Sequence, residues 1–334
     1  MHEHMRVRSL LLGLLSIIAA VLVCCGQSKV RIVITGSTGT IGASLADRAV
    51  VSLEYGTSSV VLSHRDAGKL RNMLKRLESV QQSNDLDAVG ITPLYCNLNQ
   101  REDALLDGDR GINSISEQIT SLVEGMMSSA GSFEHIVLFN NAAVCPESSC
   151  SDKAVLRDAL RINAIFPTLL TKELVASATI RGKNVTVVNI SSGDGELAYL
   201  HPSIQDALSR VNTLDEWEHL VFHELDQMAV GLEYATGPTP AYCLSKAALN
   251  CAVRINRWIY TSDEQPHGNS RVIAVCPGDV ASSMSTDEEL CSKNPHQRSA
   301  RQAARDLYEI ALNEETVRSC PSGGFYRYGK RIKW

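Results

Sequence analysis

Short apolar runs rich in β-branched residues recur along the chain, and each ends in glycine, asparagine, serine or proline. "VRIVIT" (Val30 to Thr35) comes first, followed by "SVVLSHR" (Ser59 to Arg65) and "ITPLYCNL" (Ile91 to Leu98). "HIVLFNNAA" (His135 to Ala143), "NVTVVNISS" (Asn184 to Ser192) and "SRVIAVCPG" (Ser270 to Gly278) complete the series. Continuous apolar runs without polar alternation are the mark of strands covered on both faces, as in a parallel sheet. Stretches between them, such as "ASLADRAVVSLEYG", carry apolar residues at helical intervals. Strand and helix alternating in this way predict an α/β protein with a doubly wound parallel sheet. Ligands bind such sheets at the carboxyl ends of the strands, so chemistry is sought there.

The first 28 residues stand outside this rhythm. Arg6 and Arg8 precede an uncharged apolar run from Leu10 to Gly26. A basic start, an apolar stretch and small residues such as Cys24 and Gly26 fit a signal peptide. At about 17 residues the run also meets the lower length for a membrane-spanning helix. The cleavage pattern is weak, so residues 1–28 are expected to anchor the protein, and residues 29–334 to form one domain. The expected place is a membrane such as the endoplasmic reticulum, with the domain facing the cytosol. A secreted or luminal protein after cleavage is the alternative.

Composition narrows the class. The 334 residues are 44% hydrophobic and 21% charged, with a net charge of −5 and no basic run, which argues against nucleic-acid binding. None of the ten cysteines forms a CxxC pair or a Cys/His cluster with zinc-like spacing. His201, His219 and His223 have no convergent carboxylate or thiol, so no metal site is expected. The sequons at Asn184 and Asn189 fall in or beside a predicted buried strand, where a glycan would oppose folding.

Three strand ends carry candidate chemistry. "VRIVIT" runs into "TGSTGTIG", whose Gly36, Gly39 and Gly42 permit a tight turn and close approach of a dinucleotide pyrophosphate at a helix N-terminus. Arg65 ends the second strand where an acidic residue would bind an NAD ribose; a guanidinium there suits a 2′-phosphate, which favours NADP over NAD. "AYCLSK" places Tyr242 and Lys246 four residues apart, on one face if the segment is helical. Tyr326 and Lys330 repeat that spacing, so the interval alone decides nothing.

Taken in order, these motifs resemble the short-chain dehydrogenase/reductase family over residues 30–334. The resemblance rests on the glycine loop, "NNAA" (Asn140 to Ala143), Asn163 in "RINAIF", Ser192 at the end of the fifth strand, the Tyr242 and Lys246 pair, and "PGDVAS" after the sixth. It implies a Rossmann fold and a carbonyl–alcohol oxidoreductase using NADP. The glycines are spaced as in the epimerase-like branch, "NNAA" replaces NNAG, and Asn97 replaces an aspartate that often contacts adenine. A chemistry of epimerisation or dehydration is countered by the NNAA and PG motifs. A non-catalytic NADP-binding protein would be expected to lack a reacting residue, and none is missing.

The resemblance also implies residue roles. Tyr242 would exchange the substrate proton, its phenol lowered from about 10 by the Lys246 ammonium and the oxidised nicotinamide. Ser192, rather than Ser191, would hold the substrate oxygen. Asn163 would anchor a water leading from Lys246 to solvent. Cofactor contacts are implied for Gly36, Ser37, Thr38, Gly39, Thr40, Ile41 and Gly42 in the loop, and for Arg65, Asn97 and Leu98. Asn140, Ala142, Tyr242, Lys246, Pro277, Gly278 and Val280 complete that expected set.

Ser192 and Tyr242 lie 50 positions apart, whereas most of the family has about a dozen residues between them. Residues 193–241 therefore read as a helical insert, with "DEWEHLVFHELD" as its solvated face. Together with the ending "GKRIKW", the insert is similar to that of monomeric carbonyl reductases, so a monomer acting on aldehydes, ketones or quinones is expected. "AYCLSK" and the apolar N-terminus also resemble membrane-bound retinol dehydrogenases, which keeps a membrane-associated retinol or steroid dehydrogenase as the alternative.

Overall fold

The computed structural model describes residues 29–52, 57–64, 66–84, 89–96, 109–128, 132–146, 152–229, 233–235, 239–259, 270–281 and 297–334. Among them, the chain alternates β1 (Val30–Ile34), α1 (Thr40–Val51), β2 (Thr57–His64), α2 (Ala67–Ser83), β3 (Gly90–Tyr95) and α3 (Asp109–Ser128). The second half runs β4 (His135–Asn140), α4 (Lys153–Leu160), α5 (Phe166–Ile180), β5 (Asn184–Ile190), α6 (Pro202–Arg210), α7 (Leu214–His219) and α8 (Leu225–Ala229). It closes with α9 (Pro240–Ile259), β6 (Arg271–Cys276), α10 (Ala300–Leu312), α11 (Glu314–Ser319), β7 (Phe325–Arg327) and β8 (Lys330–Arg331). The strands form one sheet in the order β3-β2-β1-β4-β5-β6-β7-β8, parallel except for β8. This is the doubly wound α/β fold expected, with the order reversing between β1 and β4.

Both faces of the sheet are covered, which explains the uninterrupted apolar runs. Ile32 and Ile34 of β1 pack with Leu45 and Val50 of α1, Leu77 of α2 and Leu307 of α10. Val33, on the opposite face, packs with Val123 and Met126 of α3 and Leu170 and Leu174 of α5. Arg31 is the exception inside β1, since it is fully buried. Its guanidinium donates to the Ser59 hydroxyl at 2.9 Å and the Met126 carbonyl at 2.7 Å, and lies 4.0 Å from the Phe133 ring centroid. A cation at the last turn of α3 satisfies carbonyls that the helix leaves without partners. Arg271 does the same at the start of β6, donating to the carbonyls of Ile310 and Cys320.

Among the described residues of 193–241, three α-helices and several shorter helical turns are joined by extended segments, two of which meet in a bridge of Leu200 with Ala235, and they build an apolar cluster against α4 and α9. Trp217 is fully buried and donates its indole N–H to the Ala248 carbonyl at 2.9 Å. The acidic run is only partly the solvated face expected of it. Asp215 and Glu216 are exposed, but Asp226 is buried and paired with Arg157 and Lys153 of α4. That buried carboxylate is tolerated because two cations meet it.

Two expectations change here. The membrane placement of residues 1–28 does not stand: among the described residues no helix is long and apolar enough to cross a membrane, and residues 1–28 lie outside them. Neither the anchor, the endoplasmic reticulum assignment nor the secreted alternative is carried further. The second Tyr/Lys interval is no helical pair, because β7 and β8 form a hairpin pairing Tyr326 with Arg331. Tyr326 is buried and donates its hydroxyl to the Pro321 carbonyl at 2.7 Å, while Lys330 is exposed.

Acid sensitivity follows from His135 at the start of β4. Its imidazole is 3.0 Å from the Thr186 hydroxyl, and burial, aided by Arg271, pushes its pKa down to about 4. An unfolded histidine titrates near 6.5, so between these values the unfolded chain binds more protons. Stability is therefore predicted to fall as pH drops from about 6.5 toward 4, by at most about 1.4 kcal/mol per pH unit from this group. Urea midpoints measured across that range should decline less steeply in His135→Gln, which keeps a partner for Thr186.

Candidate active site

The turn after β1 is built on close backbone contact. Gly36 has φ of +60°, and a Cβ there would meet the Ala142 Cα at 2.8 Å. Gly42, in the first turn of α1, would place a Cβ 2.4 Å from the Gly36 carbonyl oxygen. Only glycine satisfies both demands without displacement. The contact is locked by polar groups from both turns. The Thr35 hydroxyl accepts the N–H groups of Asn141 at 3.0 Å and Ala142 at 3.1 Å. In return, the Asn141 amide donates to the carbonyls of Thr35 and Gly36, each at 3.1 Å.

A cleft of about 490 Å³ opens beside this turn, at the carboxyl ends of the strands. Gly36, Thr38, Gly39, Thr40, Ile41, Ala142, Tyr242, Lys246 and Pro277 line it, bringing together nine of the residues singled out from sequence. The remaining expected contacts are distributed differently. Ser37 is buried and donates its hydroxyl to the Ser63 carbonyl, so it holds the turn from behind. Gly42 lies behind the turn as well. Asn140 does not border the cleft; it is buried and donates to Asn189 at 2.9 Å and to the Thr171 hydroxyl at 3.3 Å. Gly278 packs against Tyr328, and Val280 pairs with Arg298, so neither lines the cleft. Arg65, Asn97 and Leu98 lie outside the described residues.

Helix α9 presents Tyr242, Lys246 and Asn250 at intervals of four, hence on one face. Lys246 is buried, and its ammonium donates to the Ile190 carbonyl at 2.7 Å. Asn250 accepts the Ser191 hydroxyl at 2.7 Å and donates to the Gly195 carbonyl at 3.1 Å. Ser191 lines the cleft with its hydroxyl engaged by Asn250, whereas neither Ser192 nor Asn163 is among the residues lining it. The Ser192 hydroxyl stays partly exposed beside Asp194 and within hydrogen-bonding reach of Tyr242. Asn163 lies in a π-helical turn, Arg161–Ile165, between α4 and α5. Its side chain binds both the N–H and the carbonyl of Val144 and donates to Ser245, whose hydroxyl donates to the Tyr242 carbonyl. Its side chain thus ties the turn after β4 to α9.

The protein surroundings of Tyr242 work against the lowering expected from Lys246 and the oxidised nicotinamide together. Burial is the first cause and raises that phenol above its ordinary value; Cys145 and Asp194 add to the rise, and Ser192 opposes it. Lys246 is itself pushed down to about 8 by burial. Its ammonium lies 5.5 Å from the tyrosine ring centroid and is turned to Ile190. The loss of water around both groups therefore outweighs their mutual attraction.

Several cleft residues were not singled out from sequence. Asn141, which lines the cleft, and the buried Thr35 behind it were missed although serine, threonine and asparagine at strand ends commonly bind turn backbone, which was the available signal. His64, Asp66 and Lys69 line the far end of the cleft, where the Asp66 carboxylate caps α2 by accepting the N–H groups of Gly68 and Lys69. Among the described residues no group of three or more His, Cys, Asp or Glu could hold a metal ion.

Solved structures with the short-chain dehydrogenase/reductase fold match this chain over most of its length. An NADPH-bound carbonyl reductase from chicken fatty liver is 17% identical, with a TM-score of 0.58 over 93% of this chain and 97% of that one. L-Sorbose reductase from Gluconobacter frateurii, complexed with NADPH and L-sorbose, is also 17% identical, with a TM-score of 0.58 over 90% and 95% of the two chains. A short-chain type dehydrogenase/reductase from Mycobacterium marinum is 15% identical, with a TM-score of 0.59 over 90% and 94%. No protein-family profile and no curated protein matches the sequence.

The glycine turn gives a direct test of packing. Gly42→Ala forces a methyl against the Gly36 carbonyl and the Asn141 amide, and is expected to cost about 1–3 kcal/mol. Gly90→Ala, where a Cβ meets nothing within 4 Å, should stay within about 0.5 kcal/mol of the parent. Urea denaturation of the two variants measures the difference.

Proposed function

We propose that the protein is an NADP-dependent reductase or dehydrogenase that interconverts carbonyl compounds and alcohols. One observation carries the reading: Tyr242 and Lys246 share a helix face and both reach the cleft that the glycine turn opens. The Gly36 cradle, too close to Ala142 for any side chain, fits a pyrophosphate lying against bare backbone. Arg65 from the sequence and Lys69 at the cleft wall favour a cofactor bearing a further phosphate. NADPH in the chicken carbonyl reductase and in the sorbose reductase supports the same choice.

When bound, the reduced nicotinamide supplies hydride. The chain supplies the proton and the charge. In the reduction, the Tyr242 hydroxyl donates a proton to the substrate oxygen while the Ser192 hydroxyl holds that oxygen. Lys246 binds the nicotinamide ribose, and Asn163 supports the proton route back to solvent. Helices packed over α4 and α9 support a monomeric enzyme. Aldehydes, ketones and quinones are the substrate class.

Tyr242→Phe should lower NADPH oxidation with a simple quinone or aldehyde by about 10²–10⁴-fold. Near-normal turnover would remove Tyr242 from the mechanism. The pH profile has a defined sign. Burial keeps Tyr242 protonated, the form needed for reduction, while Lys246 loses its charge as pH rises through about 8. Reductive kcat/KM should be level between about pH 6 and 7.5 and fall above about 8, and Lys246→Arg should remove that fall. Alcohol oxidation, which needs the phenolate, should rise with pH. For cofactor choice, Arg65→Asp is expected to weaken NADPH at least about tenfold more than NADH in fluorescence titrations; equal losses would overturn the 2′-phosphate assignment.

A further inference from the structure

The C-terminal hairpin reaches the two turns that flank Tyr242. β7 lies parallel to β6 with Arg327 opposite Cys276, so its carboxyl end joins the row of strand ends that forms the cleft. From there Arg327 extends over the end of β6 to the turn after β5. Its Nη2 sits where a Cβ on Gly193 would come within 2.1 Å, and it pairs with Glu196 at 3.6 Å. Both contacts lie within four residues of Ser192.

The next residue serves the other turn. Tyr328 adopts φ of +53°, the sole non-glycine among the described residues with a positive φ. Bulky residues rarely hold that conformation, which costs on the order of 1 kcal/mol or more. The strain aims its ring at Gly278, where a Cβ would meet the tyrosine hydroxyl oxygen at 2.2 Å. Arg298 covers the ring at 4.7 Å and donates to the Pro277 carbonyl at 3.1 Å, while also pairing with Asp306. Pro277 lines the cleft.

Resting on the reading of Tyr242 and Ser192 as reacting groups, we propose that Arg327 and Tyr328 are positioning residues that hold the Ser192 turn and the Pro277–Gly278 turn in register. Asn250 ties the turn to α9 on either side of Ser192, through Ser191 and Gly195, and Arg327 packs between them at Gly193; the hydroxyl partner of Ser192, Asp194, is an exposed residue of the same short turn. A guanidinium packed on Gly193 leaves that turn a single path. A side chain at Gly193 would displace the guanidinium. Displacement of a substrate-holding group by about 1 Å can cost about 100-fold in rate.

The test compares Arg327→Ala, Arg327→Lys, Gly193→Ala and Tyr328→Gly with the parent and with Lys330→Ala, whose side chain is exposed. Arg327→Ala and Gly193→Ala are expected to lower kcat by about 10–100-fold, while NADPH affinity by fluorescence and the thermal midpoint stay near parental values. Arg327→Lys should recover part of kcat, and Lys330→Ala should change nothing. Tyr328→Gly should lower kcat without lowering stability, because relief of the strained φ offsets the lost ring contact. Amide exchange is read in parallel at Gly195 and Glu196, whose N–H groups donate to the carbonyls of Ser192 and Gly193. Faster exchange there in Arg327→Ala is expected with or without turnover. Unchanged exchange overturns the bracing, and faster exchange with parental kcat overturns the positioning role. Parallel losses of kcat, NADPH affinity and stability reduce Arg327 to a general structural residue. If the parent itself neither binds NADPH nor turns over, the functional reading fails, while the exchange result still decides the bracing.

Discussion

Two backbone turns meet where the strand order reverses, and the rest of the site depends on how closely they approach. The Gly36 turn after β1 presses on Ala142 after β4 at a separation that leaves no room for a Cβ. Four hydrogen bonds cross the contact, two between Thr35 and Asn141, one from the Ala142 N–H to the Thr35 hydroxyl and one from the Asn141 amide to the Gly36 carbonyl, so these peptide groups are paired. Beside these locked turns α1 starts from Gly39, which caps it without a side-chain hydrogen bond, and Thr40 and Ile41 of its first turn line the cleft. The crevice is thus a consequence of sheet topology combined with the smallest residues at two positions.

A second set of contacts carries that frame across to α9. Asn163, in a π-helical turn, binds the backbone of Val144 on one side and Ser245 on the other. Asn250 reaches the serine turn through Ser191 and Gly195. Such buried polar links are costly unless every member is paired, and here the pairing fixes where Tyr242 and Lys246 stand. Their environment is dry, which raises the phenol and lowers the ammonium. A tyrosine held protonated beside a hydrogen-bonding serine suits proton donation, the direction in which a carbonyl is reduced.

Much of this was legible in the chain. The apolar runs gave six of the strands because parallel strands covered on both faces need no polar alternation. Glycine spacing marked the turn, and the order of motifs at strand ends marked the cleft. The short hairpin of β7 and β8 was not legible, since three-residue and two-residue strands are too brief to show a period. Asn140 and Asn141 illustrate the finer limit. Both occupy one motif, yet the first faces the core between β4 and β5 and the second faces the glycine turn. Adjacent residues at the end of a strand point to opposite sides, and only the register of the neighbouring strands says which side is the cleft.

The amino-acid sequence by itself determined the α/β alternation and the glycine turn, because each depends on local periodicity or residue type, while Tyr242, Lys246 and Ser192 were singled out by an order of motifs that resembles a known family. Tertiary structure alone decided which residues act together. It turned Tyr326 and Lys330 into opposite sides of a hairpin, committed Ser191 to Asn250 while leaving Ser192 accessible, and brought Arg327 onto Gly193 from more than a hundred residues away. It also buried the Tyr242 phenol, which raises it, and the balance between such desolvation and a neighbouring charge depends on burial and distance, neither of which is written in residue spacing.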